Sequence, residues 1–262
     1  MHADITRLDL AARRRSLTGY ALGLAAYAFV VVALYPAFKN TSSLDKLIQA
    51  DPAAAALFGV TGSISSSGGW LDDNLYANFF PLILLLLTIG YGAAALAGQD
   101  EDGTLCLLAV LPVRRATIAT QKIAAMAIQA AVLAAAVAAC VIIGRSFQLS
   151  VTAGNVAAVS AAAFLMAMTF GIITMAAGAL TGRRGTAIGA GSALAAASYL
   201  ISSLAPVVSW LSPARYASLL YWSVGNSQIT RGVSAADYAV LLATGLFAWG
   251  AAVLAFRRLD VR

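Results

Sequence analysis

Charge is scarce in this sequence. Only 11% of its 262 residues are Asp, Glu, Lys or Arg, against roughly 25% in an ordinary soluble domain, so the chain lacks the polar surface to cover a water-soluble globule of its length. Histidine occurs once, as His2 near the start, which excludes a histidine-built metal cage or catalytic triad. The two cysteines, Cys106 and Cys140, fall on different kinds of segment and read as buried or reduced thiols. None of the three lysines, Lys39, Lys46 and Lys122, follows a glycine, and no Gly-x-x-x-x-Gly-Lys-Ser/Thr phosphate loop is present, so no ATP chemistry is expected in this chain. The basic start leads into an apolar block too long for a signal-peptide core, with no small-residue cleavage site before Lys39; no cleavable signal is expected.

What is abundant is hydrocarbon. Hydrophobic residues make up 61% of the chain and the mean hydropathy is +0.83. The apolar residues come in blocks of about 20, the length that crosses a hydrocarbon core about 30 Å thick. The blocks at 17–37, 76–97, 117–143, 155–181, 185–207 and 236–256 predict an all-α membrane protein of six transmembrane helices, forming one domain over 1–262. They are rich in Ala and Gly, which suits close helix packing in lipid. No Lys, Arg, Asp or Glu falls deep inside any block, an absence that argues against an ion-coupled carrier with its own relay.

The basic residues give an orientation. Arg7, Arg13, Arg14, Arg15, Arg114, Arg115, Lys122, Arg183, Arg184, Arg257, Arg258 and Arg262 fall on the side of the termini; Lys39, Lys46, Arg145, Arg215 and Arg231 fall on the other. That bias predicts cytoplasmic termini in a multi-pass plasma-membrane protein. The formal charge of +6 is then a topology signal directed at anionic headgroups, and nucleic acid is not the expected partner.

Between the blocks, residues 2–16 read either as an N-terminal interfacial helix or as a solvated basic tail. In the long external segment, Asp51-Pro52 opens an Ala-rich stretch ending at Gly59, which predicts a short capped helix. Gly62–Gly69 reads as flexible loop, and Asp72 and Asp73 as solvated carboxylates in preference to a cation or substrate contact. Residues 208–235 carry Trp210, Tyr216, Tyr221 and Trp222, an interfacial aromatic belt on a short surface or re-entrant helix. A substrate-binding aromatic cluster is the second reading there.

The segment GQDEDGTLCLLAVLPVRRATIATQK, residues 98–122, is the most informative. Asp100, Glu101 and Asp102 precede the apolar run Leu105–Leu111, Pro112 ends it, and Arg114 and Arg115 follow. Acids ahead of a helix and bases behind it complement its dipole, and Thr117 can cap the third span. The expected product is a short cytoplasmic helix, either resting on the inner leaflet or docking into a partner.

This segment resembles the coupling region of type-2 ABC-transporter permeases, in which an acidic cluster, Gly-Thr, a Leu-rich turn and Pro-x-x-Arg recur. Here these are Asp100, Glu101, Asp102, Gly103, Thr104, Leu107, Leu108, Pro112, Val113, Arg114 and Arg115. Members often carry Gly-Glu-Glu where this chain has Gly98-Gln99-Asp100-Glu101. Arg13 to Arg15, the Gly-Arg-Arg turn at 182–184, Leu211-Ser212-Pro213 and the ending Phe256-Arg257-Arg258-Leu259-Asp260 fit the same pattern. The resemblance implies the permease subunit of an ABC exporter, with the 100–112 helix as a coupling helix against a separate ATPase that holds ATP and Mg²⁺. It also implies a homo- or heterodimer of permeases and a substrate path lined from spans two and five by Asn78, Phe79, Tyr91, Ser198 and Tyr199. An apolar path with few hydroxyls suits an amphipathic drug, antibiotic, peptide or lipid. Two other classes stay open: an intramembrane lipid-modifying enzyme, for which Asp100 to Asp102 lack a partner His or second acidic motif, and a non-transporting membrane anchor or assembly protein.

Overall fold

A computed structural model describes residues 4–39, 66–105, 114–206 and 208–258. It contains six helices long and apolar enough to cross a membrane: α1 (Asp4–Phe38), α2 (Ser67–Glu101), α3 (Arg115–Ile143), α4 (Ala153–Thr181), α5 (Arg184–Leu204) and α6 (Ala235–Arg258). The chain is a multi-pass helical membrane protein, with no strand among the described residues.

Helix ends follow local chemistry. Ser66 accepts a hydrogen bond from the Gly69 N–H and Thr152 from the Asn155 N–H, starting α2 and α4. Ser234 and Asp237 form a reciprocal capping box at α6, each side chain accepting from the other's backbone N–H. Asp237 is also paired with Arg231 at 3.0 Å. α3 begins at Arg115, after an extended Arg114, so Thr117 lies inside its first turn instead of capping it. Residues 4–16 form no element of their own: they continue into the first span as one 35-residue helix.

α4 is the central helix, packed against α2, α3, α5 and α6, while α1 lies mainly on α3. With no charged residue of its own, α4 can be surrounded on all sides. Small residues set the spacing. A Cβ on Gly92 of α2 would stand 2.2 Å from the Gly171 carbonyl oxygen of α4, and one on Gly171 would stand 2.6 Å from Met126 Sδ of α3. The α2 and α4 backbones meet where only hydrogen fits, with the Met126 side chain of α3 packed against the same spot.

Contacts between helix ends define two faces. On the terminal face Thr6 reaches the Gln121 carbonyl, Arg115 the Phe256 carbonyl, and Glu101 the Arg184 N–H. On the distal face Lys39 bonds Gln148, Ser67 bonds Ser150, and Asn155 bonds the Ile229 carbonyl.

The distal face departs from the sequence reading in two places. Ser67, Gly68 and Gly69, read as part of a flexible loop, form a buried helical turn, tight enough that a Cβ on Gly68 would meet Thr230 Cγ2 at 2.3 Å. Asp72 and Asp73, read as solvated, are buried in a π-helical turn, Asp72–Tyr76, with Ser227 beside Asp72. The cause is tertiary: the helix starts about two turns before the apolar block does, and the 227–231 segment folds over it. The Asp51–Gly59 stretch lies outside the described residues.

Candidate functional site

The acidic end of α2 and its Gly-Thr sequel form a helix stop. Gly103 has φ +66°, its N–H donates to the Asp100 carbonyl, and the Thr104 N–H donates to the Gln99 carbonyl. That pair of bonds is a Schellman motif, in which glycine supplies the left-handed residue. A second π-helical turn, Ala94–Gly98, lies just before it; such turns insert a residue and rotate the face presented beyond them.

The three acids then take different environments. Asp100 is buried, whereas Glu101 and Asp102 are exposed. Glu101 Oε1 accepts the backbone N–H of Arg184 at 2.9 Å. Because Arg183 supplies no side-chain cap to α5, a carboxylate from the end of α2 completes the start of α5, where the helix dipole favours negative charge. Packing reinforces the junction: a Cβ on Gly98 would stand 3.3 Å from the Arg184 side chain. Of the other predicted coupling residues, Gly103, Thr104 and Arg114 are exposed. Arg115 bonds the Phe256 carbonyl and stands 5.9 Å from the Phe256 ring. Leu107, Leu108 and Pro112 lie outside the described residues.

A buried polar cluster sits beside this junction. Lys122, counted from the sequence among the basic residues at span ends, is fully buried and pairs with Asp9 of α1 at 3.1 Å. The Tyr91 hydroxyl of α2 donates to the same carboxylate, and the Arg13 guanidinium lies 4.7 Å from the Tyr91 ring. Three helices thus share one carboxylate. Sequence reading missed Asp9 and Lys122, although a signal was present: Ile118, Lys122, Ala125 and Gln129 recur at helical spacing and are all buried.

A lateral cavity of about 640 Å³ lies between α2 and α5. Asn78, Phe79, Leu86, Ile188 and Tyr199 are among its lining residues, and the Tyr199 hydroxyl donates to Asn78 Oδ1 at 2.9 Å. Three of the five predicted path residues therefore meet here. Tyr91 does not join them, being engaged with Asp9 at the terminal face. Ser198 lines a different cavity, between α4, α5 and α6.

This architecture has a family. The model for the ABC-2 family transporter proteins matches residues 3–261. The chain belongs to that family. No curated protein matches it. As an ABC-2 permease it is a membrane transport component, and the acidic Gly-Thr junction and the α2–α5 cavity are its two candidate working regions.

Proposed function

We propose that this chain is the transmembrane permease subunit of an ATP-driven ABC exporter in a bacterial cell membrane. The family match over residues 3–261 carries the reading. A separate ABC ATPase binds ATP and Mg²⁺, and it docks on the terminal face, which the bias of basic residues makes cytoplasmic. Two permease copies or paralogues build the transporter. Asp102, Gly103, Thr104 and Arg114, exposed around residues 106–113, are the docking contacts, and Asp100 and Glu101 transmit from within the permease. Motion of the docked segment reaches α5 through Glu101 and the Arg184 N–H. α5 and α2 bound the cavity holding Asn78, Phe79 and Tyr199, so a shift at the junction changes the shape of that cavity. Its walls are apolar apart from Ser192 and the hydroxyl–amide pair of Tyr199 and Asn78, which suits an amphipathic or hydrophobic cargo such as a drug, antibiotic, peptide or lipid, moved outward.

The test is co-purification with the ABC ATPase encoded beside this chain. The wild-type permease is expected to retain the ATPase, whereas an Asp102→Lys/Arg114→Glu variant, altered only at exposed positions, loses it and still elutes as a folded protein. Failure of the wild type to retain any ATPase overturns the reading.

A further inference from the structure

The second large cavity, about 620 Å³ between α4, α5 and α6, has no part in the preceding reading. Phe170 and Ile173 of α4, Leu194 of α5 and Phe247 of α6 line it. The Thr169 and Thr244 hydroxyls on its wall are already turned back onto the Leu165 and Val240 carbonyls of their own helices, so what they present is methyl. Leu194 is 43% and Phe247 82% exposed, so the cavity opens sideways between membrane-spanning helices, toward bilayer hydrocarbon.

Its distal end is closed by Ala217 and Leu219, which belong to a segment that dips below the end of α5. The Ser218 hydroxyl donates to the Ser198 carbonyl at 2.7 Å. Ser198 lies six residues before Leu204, the last residue of α5, which at 1.5 Å per residue is about 9 Å along the helix. The 3₁₀ helix Ser209–Ala217, which carries Arg215, packs along α5 just before Ser218.

Among the described residues Arg215 has no acidic partner. The ion pairs among the described residues are Lys122–Asp9 and Arg231–Asp237. The Arg215 guanidinium donates to the Tyr216 hydroxyl at 2.8 Å and lies 4.9 Å and 5.4 Å from the Tyr216 and Tyr221 rings. Its Nε has no hydrogen-bond partner among the described residues. The Trp222 indole N–H, bonded to the Tyr216 carbonyl at 2.8 Å, holds the aromatic cradle in place. A partly exposed guanidinium held on an aromatic cradle is presented to an anion, and its planar fork of donors fits a phosphate.

We propose that Arg215 and the α4–α5–α6 cavity form one site for an anionic phospholipid of the distal leaflet, its phosphate on the guanidinium and an acyl chain in the cavity. The charge on this segment and the apolar cavity that the segment closes are explained together by a ligand that has both parts. The site is independent of the ATPase partner and of the α2–α5 cavity.

The experiment is native mass spectrometry of the detergent-purified permease titrated with phosphatidylglycerol, phosphatidylcholine or inorganic phosphate, with folding checked by elution volume. The wild type is expected to retain one phosphatidylglycerol in preference to phosphatidylcholine. Arg215→Gln should reduce that preference about tenfold, the scale of one charge-assisted hydrogen bond, while Arg145→Gln, a distal-face control, leaves it unchanged. Ala243→Phe, which fills the cavity, should weaken retention of both lipids, and Arg215→Lys should keep part of the preference. Equal retention by Arg215→Gln and wild type overturns the proposal. So does a wild type without preference, undiminished binding by Ala243→Phe, or suppression of lipid binding by millimolar inorganic phosphate, which would mark a free-anion site.

Discussion

At the scale of single residues, the Asp9–Lys122 pair is a charge pair withdrawn from water. Lys122 is completely buried, while the Asp9 side chain keeps 16% of its exposure. Removing one partner leaves the other charged and poorly solvated, which costs 3–5 kcal/mol for a fully buried pair; the partial exposure of Asp9 lowers the expectation to about 2–3 kcal/mol. Lys122→Met should destabilise the purified protein by about that amount, and Asp9→Asn/Lys122→Met should recover more than half of it. Equilibrium unfolding of the four proteins of this cycle in mixed micelles measures both. Additive losses would show that the pair is not coupled. This pair was also the hardest feature to read from the chain, because a lysine at the end of an apolar block looks like an interfacial anchor until its helical face is compared with its buried neighbours. Asp72 and Asp73 misled for the same reason: a carboxylate outside an apolar block is solvated by default, and only a segment some 150 residues later in the chain changes that.

At the scale of elements, apolar block length was a sound guide to helices, and it erred at ends where polar residues continue the helix. α1 extends back to Asp4 and α2 back to Ser67, since a helix once nucleated is prolonged by any residue that does not break it. The Gly-Thr of the acidic motif was legible as a pattern, while its structural work as a Schellman stop needed the φ of Gly103. Glycines in the spans looked alike in the sequence, yet they divide sharply. Gly92 faces a backbone carbonyl that cannot swing aside, whereas no atom lies within 4 Å of a Cβ on Gly189. Gly92→Ala should therefore lower the thermal midpoint in detergent markedly by prising α2 from α4. Gly189→Ala should hold or raise it, as alanine gains roughly 0.5–1 kcal/mol over glycine within a helix. Equal midpoints for the two variants would contradict the close approach of α2 to α4.

At the scale of the whole molecule, an even number of spans puts the acidic junction, the start of α1 and the end of α6 on one face, and the aromatic Arg215 segment on the other. Single cysteines in a background lacking Cys106 and Cys140 test this in intact cells. Asp102→Cys is expected to react with a membrane-impermeant maleimide only after permeabilisation, and Trp210→Cys, at a residue 79% exposed, without it. The opposite pattern would invert the proposed orientation. The two candidate regions were unequally legible: the junction is a contiguous motif, while the α2–α5 cavity joins Asn78 to Tyr199 across 121 positions and has no signature in local spacing. The carboxylate of Glu101 gives the molecule one further property. α5 does not own the cap that begins it; it borrows one from the end of α2. Unfastening that loan frays the first turn of α5 without touching the membrane interior, so the junction is a place where order can be withdrawn from a spanning helix at its water-facing end, one turn at a time.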